Sequence, residues 1–381
     1  MLPTAGSEPQ RAAPADLLAG LPEEILTGHV LAGLPARDVV RTSVLSSRPW
    51  RNLWESVPNL DVDLDGVRGW DSAAAFLQHC AAPVGRVRIR GVPRSHCHLA
   101  DDWVRLVAGK SPPSLSLALP SPPAAALPSL FACDPNALAE LKLESCGLPS
   151  PPSGFAGFRS LITLDLDNVV LYGERGWAQL EAMIAATAPT LEQLRLADIA
   201  FRGVAGDWAI QAPNLRRLVL RLCIGSSGLS RDLGSLPKLE YASVLLCDLD
   251  KDNRDCTRLL TALSSVRELE LGYFDSATYQ DTFGDENTPV SSIAEQMLRL
   301  LPDAGLVRNL EYFYMNRISC SPNDMNFIKH IVLYARNLKL ASMDLFEFST
   351  KTTVDAAREL IGIEKGSPAA EVCFNRGDFC V

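Results

Sequence analysis

One short segment of this chain carries acidic side chains at a spacing that suggests cation binding. Asp61, Asp63 and Asp65 alternate along the sequence and are followed directly by Gly66, as at the start of a calcium-binding loop. A complete loop of this kind needs a bidentate glutamate six residues after the glycine, where this chain has Ser72. We therefore interpret the segment as a turn with strand-like alternation and predict no calcium site there.

Histidine and cysteine residues form a second set of candidate metal ligands, at His79 and Cys80 and again at His96, Cys97 and His98. Common zinc sites separate paired ligands by at least two residues, whereas these side chains are adjacent in the sequence. In an extended strand, His96 and His98 would share one face and Cys97 would point to the other. The sequence therefore predicts a polar loop here, with no metal and no cofactor.

Signatures of catalysis are missing from the sequence as a whole. It contains no glycine-rich phosphate loop, no nucleophile elbow and no metalloprotease helix. Carboxylates such as Glu140, Asp165 and Glu192 fall at positions expected to face solvent. We therefore predict that the chain is not an enzyme and that its elements serve binding.

The composition of the chain restricts which kind of partner and which cellular compartment we expect for it. The 381 residues are 47% hydrophobic and 21% charged, as in a soluble globular protein, and the formal net charge of −9 disfavours nucleic-acid binding. No segment approaches the run of about eighteen apolar residues that a membrane span requires. Residues 1–15 lack the apolar core of a signal peptide, and the ten cysteines are scattered rather than densely spaced. These features predict the cytosol or the nucleus.

The first elements after residues 1–15 are predicted to be three short helices rich in leucine, isoleucine and valine. Pro22 suits the first position of a helix, because its missing N–H costs nothing there, and acidic residues follow it in the first turn. A second helix is expected from Pro35 and a third near Trp50. A module of about forty residues cannot bury this apolar surface alone, which predicts a protein partner. The alternative is a small independent helical domain with these side chains as its core.

A Leu-x-x-Leu-x-Leu pattern then recurs through the chain, beginning with residues 138–143, 161–166, 191–196 and 215–220. The third apolar position returns in steps of 23, 30, 24, 24 and 27 residues, close to the period of leucine-rich repeats. Such repeats stack because each contributes one short strand that cannot bury its apolar face alone. We predict a curved parallel sheet of roughly eight to ten strands, with residues 86–90 and 115–119 among its first. A leucine-rich α/β domain with another parallel sheet is the alternative.

A long insertion separates the repeats at Leu269 and Phe313, which lie 44 residues apart. It mixes aromatic residues with carboxylates, a composition that suits contact with a basic partner. The candidate target-binding residues here are Tyr273, Phe274, Tyr279 and Phe283. A solvated or disordered loop is the alternative interpretation.

Two segments resemble a known family. The run LPEEIL…LAGLPARDVVRTSVLSSRPWRNLW within residues 16–63 resembles an F-box, in the form found in plant F-box/leucine-rich-repeat proteins; here Pro49 is one residue more than the usual pattern has before Trp50. Residues 309–374, with LEYFYMNRISC and GSPAAEVCF, resemble the FBD region that follows the repeats in that group. The matched positions, which the resemblance assigns to adaptor binding, are Leu21, Pro22, Ile25, Leu26, Leu34, Pro35, Val39, Val44, Leu45 and Trp50.

The resemblance implies an α/β protein in which a helical F-box precedes a leucine-rich-repeat solenoid. The expected division is a disordered tail (1–15), an F-box (16–63), leucine-rich repeats (64–308) and an FBD-like region with terminal repeats (309–381). The implied function is target recognition in an SCF-type ubiquitin ligase, with the F-box docked on a Skp-type adaptor and through it on a cullin. Two alternatives are a ligase-independent binding scaffold and a small-molecule receptor.

Overall fold

The computed structural model describes residues 21–42, 50–65, 71–80, 84–123, 125–172, 176–202, 210–222, 236–247, 263–274, 307–318, 320, 322–345, 352–360, 363 and 365–376. In this part of the chain, twelve strands form one parallel sheet in which each strand pairs with its neighbours in sequence order. Parallel neighbours in unbroken sequence order, each reached by a return of the chain, make a solenoid. In order of pairing the strands are β1 (Asn59–Asp63), β2 (Arg86–Arg90), β3 (Ser114–Ala118), β4 (Glu140–Glu144), β6 (Thr163–Asp167), β8 (Gln193–Ala197), β10 (Arg217–Leu222), β11 (Tyr241–Cys247), β12 (Glu268–Phe274), β13 (Tyr312–Ile318), β14 (Leu340–Leu345) and β15 (Glu371–Arg376).

Alternating burial along these strands explains why the leucine pattern folds this way. Successive side chains of a strand point to opposite faces, so one set is buried while the set between them faces outward. In β4, Leu141 and Leu143 are buried, and Leu141 is in register with Leu164 of β6, which pairs in turn with Leu194 of β8. Columns of buried side chains therefore run across the strands and form one continuous core.

A second sheet has three strands, each of which comes directly after a strand of the main sheet along the chain. They are β5 (Gly147–Pro149), β7 (Val170–Tyr172) and β9 (Ala200–Arg202), which follow β4, β6 and β8. Each of its strands is reached through one residue in the left-handed region, namely Ser145, Asn168 and Asp198, with φ of 57°, 50° and 49°. The Asn168 Nδ2 donates to Ser145 Oγ at 2.9 Å, which links two of these turns. Asn and Asp tolerate this conformation better than most residues, so their side chains suit the repeated turn.

Helices cover the buried face of the main sheet and also form the N-terminal module. In α5, Trp103, Val104 and Val107 are buried on one side, whereas Asp102 on the other side is exposed. The α-helices are α1 (Glu23–Ile25), α2 (Ala36–Arg41), α3 (Trp50–Leu53), α4 (Asp71–His79), α5 (Ala100–Ala108), α6 (Gly176–Thr187), α7 (Pro322–Tyr334) and α8 (Thr353–Leu360). A π-helical turn (Leu26–Val30) and 3₁₀ turns (Leu31–Gly33, Trp54–Ser56, Arg94–Leu99, Pro128–Ala132, Leu263–Ser265) complete the helical segments.

The start of the sheet differs from the prediction in two places. The segment predicted as a turn after the N-terminal module is β1, which precedes the predicted first strand because Leu60 and Val62 are buried and the strand pairs with β2. Residues 94–99, predicted as a polar loop, form a 3₁₀ helix in which Cys97 is buried and its thiol lies 3.6 Å from the Pro93 carbonyl oxygen. The sheet also has more strands than the eight to ten predicted, since β1 and β15 extend it at both ends.

The C-terminal region continues the solenoid. The predicted helical stripe is confirmed in α7, where Ile328, Ile331 and Val332 are buried, although Tyr334 is exposed. The strand predicted over residues 338–343 appears as β14. It is not the last strand, because α8 leads on to β15, which pairs with β14 over its whole length.

Candidate functional site

Two Leu-Pro dipeptides set the backbone of the N-terminal module. Pro22 and Pro35 have nearly identical torsions, with ψ of 146° at each, and each directly precedes a helix. The Pro22 carbonyl accepts hydrogen bonds from the amides of Ile25 (3.0 Å) and Leu26 (3.1 Å). The Pro35 carbonyl accepts from the third and fourth residues of α2, at 2.9 and 3.0 Å, in the same way. Each proline therefore starts a helix and leaves the preceding leucine outside it.

The module has a small hydrophobic core of its own, formed by Leu26, Leu31, Val39, Leu53 and Val57. Trp54 packs against this core and also against the core of the sheet, where its ring stacks on that of Phe76 at a centroid distance of 5.7 Å. The module is therefore joined to the solenoid through one large aromatic side chain and through contacts between α2 and β1.

Outside this core, the module exposes large apolar side chains. Leu21 (39% exposed), Ile25 (41%), Leu34 (36%) and Val40 (37%) are four of the eight large hydrophobic residues that are exposed in the described part of the chain. Leu21 lies just outside the first helix, and Ile25 is its last residue. We call these four residues the N-terminal apolar surface. Such a concentration of exposed apolar groups is typical of an interaction site.

The ten positions assigned to adaptor binding fall into three groups. Exposed to solvent are Leu21, Pro22, Ile25, Leu34 and Pro35; buried in the module's core are Leu26 and Val39. Val44 and Leu45 lie outside the described residues, and Trp50 is the first residue of α3, with its side chain outside the description. Sequence reasoning did not include Val40 in the set, although its exposure beside the buried Val39 follows from the helical period.

The open face of the main sheet, turned away from the core, is polar and is crossed by ion pairs in its first half. Arg195 of β8 lies 2.9 Å from Asp165 and 2.6 Å from Asp167, both on β6. Arg90 of β2 lies 3.2 Å from Asp63 of β1 in the same way. Arg90 also lies 3.6 Å from a buried Asp61 oxygen that has no hydrogen-bond partner, so this contact is an ion pair without hydrogen-bond geometry. The metal-like aspartates of β1 are therefore neutralised by an arginine of the next strand.

Glu140 of β4 shows how neighbouring side chains on this face shift the pKa of a carboxyl. Partial burial disfavours its ionised form, but hydrogen bonds from Ser114 Oγ (2.7 Å) and from Lys142, whose Nζ lies 3.0 Å away, outweigh burial and lower the pKa of the carboxyl. Among the described residues, no group of three His, Cys, Asp or Glu side chains is arranged to hold a metal ion.

In the second half of the open face, tyrosine, glutamate and asparagine side chains are joined by hydrogen bonds. Tyr241 donates its hydroxyl hydrogen to Glu270 at 2.9 Å, and Asn316 Nδ2 donates to the other oxygen of Glu270 at 2.7 Å. Burial, together with the hydrogen bond to Glu270, raises the pKa of the Tyr241 phenol. Burial and the nearby Glu268 carboxylate raise the pKa of Tyr314. We call the outward-facing residues of β11, β12 and β13 at this place the tyrosine–glutamate patch: Tyr241, Glu268, Glu270, Tyr312 and Tyr314.

A groove of about 300 Å³ runs beside this patch, along the starts of β8 to β13. Residues of alternating charge line it in strand order, namely Glu192, Arg216, Glu240, Arg267 and Glu311. Arg216 lies 2.7 Å from Glu240, and Lys339 of the next repeat lies 2.6 Å from Glu311. Opposite charges on adjacent strands favour this register over a slipped one.

The assignment of target-binding residues in the insertion stays a prediction. Tyr273 and Phe274 belong to β12, with side chains outside the description, while Tyr279 and Phe283 lie outside the described residues. Sequence reasoning missed the tyrosine–glutamate patch. The available signal was the variable position between the leucines of each repeat, which faces outward in every strand.

Comparison with known proteins gives relatives of one kind. No family model matches the sequence. A putative F-box/FBD/LRR-repeat protein of Arabidopsis thaliana is 29% identical over 48% of this chain and 39% of its own length. An F-box/FBD/LRR-repeat protein of the same plant is 27% identical over 75% of this chain and 70% of its own. An F-box/LRR-repeat protein is 30% identical over 54% of this chain and 67% of its own. The chain thus spans only 39% of the first of these relatives.

Two solved structures align with the chain. An internalin of Listeria monocytogenes is 13% identical, with a TM-score of 0.39, over 94% of this chain and 98% of its own. A Leptospira interrogans LRR protein is 13% identical, with a TM-score of 0.23, over 82% of this chain and 95% of its own. The assignment of a leucine-rich-repeat solenoid rests on the strand order and on the repeating leucine columns rather than on these alignments.

Proposed function

We propose that this chain, which belongs to the plant F-box/LRR-repeat family, is the target-recognition subunit of an SCF-type ubiquitin ligase. In this proposal the N-terminal module docks on a Skp-type adaptor and through it on a cullin, while the open sheet face holds a target protein. The chain supplies no bond-making residue of its own. The proposed place of action is the cytosol or the nucleus.

The observation that carries the proposal is the N-terminal apolar surface. Burying a leucine or isoleucine side chain that is otherwise exposed contributes about 1.5–3 kcal/mol. Because Leu21, Ile25 and Leu34 are 36–41% exposed, a partner that covered all three would gain about 2–3 kcal/mol from them, a part of the roughly 8 kcal/mol of a micromolar affinity.

The solenoid suits target binding, which is the second part of the proposed function. Its strands are stacked in fixed register, so its outward-facing side chains form a rigid array for a protein ligand. A target held there and an activated ubiquitin carrier held on the same assembly would react at a raised effective concentration. The contribution of the chain is thus geometric rather than chemical.

Titration calorimetry of the purified chain with a purified plant Skp-type adaptor tests this proposal. We expect measurable binding by the wild type and about 5- to 30-fold weaker binding by Leu21→Ala/Ile25→Ala, which corresponds to about 1–2 kcal/mol of lost burial because these side chains are already partly buried. The matched control, Ile162→Ala/Val354→Ala, removes two apolar side chains outside the module that are at least as exposed, and it should change the affinity less than about twofold.

The alternatives give other outcomes in the same experiments. A ligase-independent scaffold predicts that the wild-type chain does not bind the adaptor at all. A small-molecule receptor predicts adaptor binding together with target binding that appears only when a ligand is added. Equal affinities of the double variant and its control would refute docking through the N-terminal apolar surface.

A further inference from the structure

We infer that the tyrosine–glutamate patch binds a lysine- or arginine-bearing segment of the target protein. The inference rests on the proposed function only in calling the bound protein a target, since the patch itself is described by the structure. It concerns β11, β12 and β13, at a distance along the chain from the N-terminal module.

The register of four strands shows which charges the patch contains. Two rows of outward positions cross β11, β12, β13 and β14, and the strands pair through them without a shift. The first row consists of Tyr241, Glu268, Tyr312 and Leu340, and the second of Ser243, Glu270, Tyr314 and Ser342. Over these four strands both rows carry a carboxylate and neither carries a lysine or an arginine; on β10, Arg217 is in register with Tyr241 and continues the first row.

In the first half of the same face, carboxylates are paired with an arginine of a neighbouring strand. There, Arg195 pairs with Asp165 and Asp167 at 2.9 and 2.6 Å, so these two carboxylates already have their cation. In the part of the chain that the structure describes, no lysine or arginine forms an ion pair with Glu268 or Glu270. Two negative charges thus face outward uncompensated, and a cation supplied by another protein would complete the arrangement.

Two cations near the patch, Lys339 and Arg217, already have partners other than Glu268 and Glu270. Lys339 lies 2.6 Å from Glu311, at the start of the strands. The Arg217 guanidinium lies over the ring of Tyr241, 4.1 Å from its centroid. This second contact shows that a tyrosine ring of the patch already accepts a guanidinium on its face, the geometry of a cation–π interaction.

The patch is also preorganised for a basic side chain. Glu270 is fixed by hydrogen bonds from Tyr241 and Asn316, one to each oxygen, and each carboxylate oxygen retains a further lone pair. Tyrosine supplies large contact area with few rotatable bonds, which keeps the entropic cost of binding low. The adjoining groove follows the starts of the same strands, so it extends the surface available to a peptide segment.

Selection of a random peptide library on the immobilised full-length chain tests the inference, followed by fluorescence polarisation of individual selected peptides. We expect lysine and arginine to be enriched over aspartate and glutamate in the selected peptides. We also expect affinities about tenfold weaker or more for Glu268→Gln/Glu270→Gln, and weaker binding at raised salt. The matched control, Glu144→Gln/Glu181→Gln, removes two carboxylates outside the patch and should leave the affinities within about twofold.

Glutamine has nearly the shape of glutamate, so these variants test charge rather than folding; Tyr314→Ala provides a second variant, which should also weaken binding. Selection of acidic or uncharged peptides, absence of any enrichment, or unchanged affinities in Glu268→Gln/Glu270→Gln would overturn the inference. Adaptor titrations on the same preparations separate it from the proposed function. A chain that binds the adaptor but not basic peptides refutes the inference alone, whereas basic peptides bound without the adaptor refute only the ligase assignment.

Discussion

The N-terminal module and the repeat sheet differ in how completely they bury their apolar side chains. The module's core is a small group of side chains, namely Leu26, Leu31, Val39, Leu53 and Val57, and large apolar residues remain outside it. The sheet buries its leucines in one continuous core and presents charged and polar groups on its open face. A module of this size gains little stability from its own core, so contact with the sheet and with a partner matters more to it.

The N-terminal apolar surface and the tyrosine–glutamate patch also differ in polarity. An apolar surface such as that of the module suits a stable subunit interface, which resembles a protein interior. A surface of tyrosines and carboxylates such as that on β12 and β13 suits a ligand that must be recognised by charge and later released. Under the proposed function, the module would anchor the chain and the tyrosine–glutamate patch would select the target, so the two regions should respond differently to mutation.

The largest effect is expected in the core of the sheet. Phe313 is fully buried and packs edge-to-face on Phe327 at a centroid distance of 6.0 Å. Phe313→Ala should lower the free energy of unfolding by about 3–5 kcal/mol in urea denaturation, because it leaves a cavity in the continuous core. Ile162→Ala, at an exposed position, should change it by less than about 0.5 kcal/mol. A loss below about 1 kcal/mol for Phe313→Ala would mean that the core is not close-packed there.

A smaller and more local effect is expected in the module. Leu31 is fully buried, so Leu31→Ala should cost about 2–4 kcal/mol of local stability. Hydrogen exchange should rise in residues 22–42 and stay unchanged in β4 to β8, because the two cores are separate clusters. An equal rise throughout the sheet would contradict the separation and would make the module part of the solenoid's cooperative unit.

Sequence reasoning predicted the repeat core well because the leucine pattern encodes it directly. A period of two within each strand and a period near 24 residues between strands leave few other folds, and Leu141, Leu164 and Leu194 pair in register as expected. It failed at β1, where three aspartates obscured the buried Leu60 and Val62. Two of those aspartates, Asp61 and Asp63, lie beside Arg90 of the next strand, and sequence position alone does not reveal this contact.

The candidate sites were predicted less completely, for a physical reason. The proposed docking motif, residues 21–26, is continuous in the sequence, so its leucine and isoleucine can be recognised there. The tyrosine–glutamate patch is assembled from three strands that lie up to 73 residues apart, from Tyr241 to Tyr314. Which of many outward-facing carboxylates lacks a cation depends on the register of neighbouring strands, and that is a property of the fold.

Arg195 allows a test of the difference between the paired and unpaired halves of the open face. Arg195→Met should lower the free energy of unfolding by about 1 kcal/mol, since it leaves Asp165 and Asp167 without their cation. The matched variant Arg88→Met, an exposed arginine on the same face, should lower it by less. Urea denaturation of both variants at low and high salt measures this. Equal losses would show that the ion pairs do not distinguish the first half of the face.

The smallest effect is the pH dependence that Glu140 confers. Partial burial works against its ionised form, but the hydrogen bonds from Ser114 and Lys142 prevail, so its pKa in the folded chain lies below the ordinary 4.5. A carboxyl with a lowered folded pKa stabilises the fold above its ordinary pKa, and this stability is lost as the pH falls through the folded value. Wild type should therefore lose more stability than Glu140→Gln when the pH falls below 4.5, by less than about 1 kcal/mol. Urea midpoints of the two proteins across that range measure the difference, and parallel curves would show that Glu140 behaves as a free surface carboxylate.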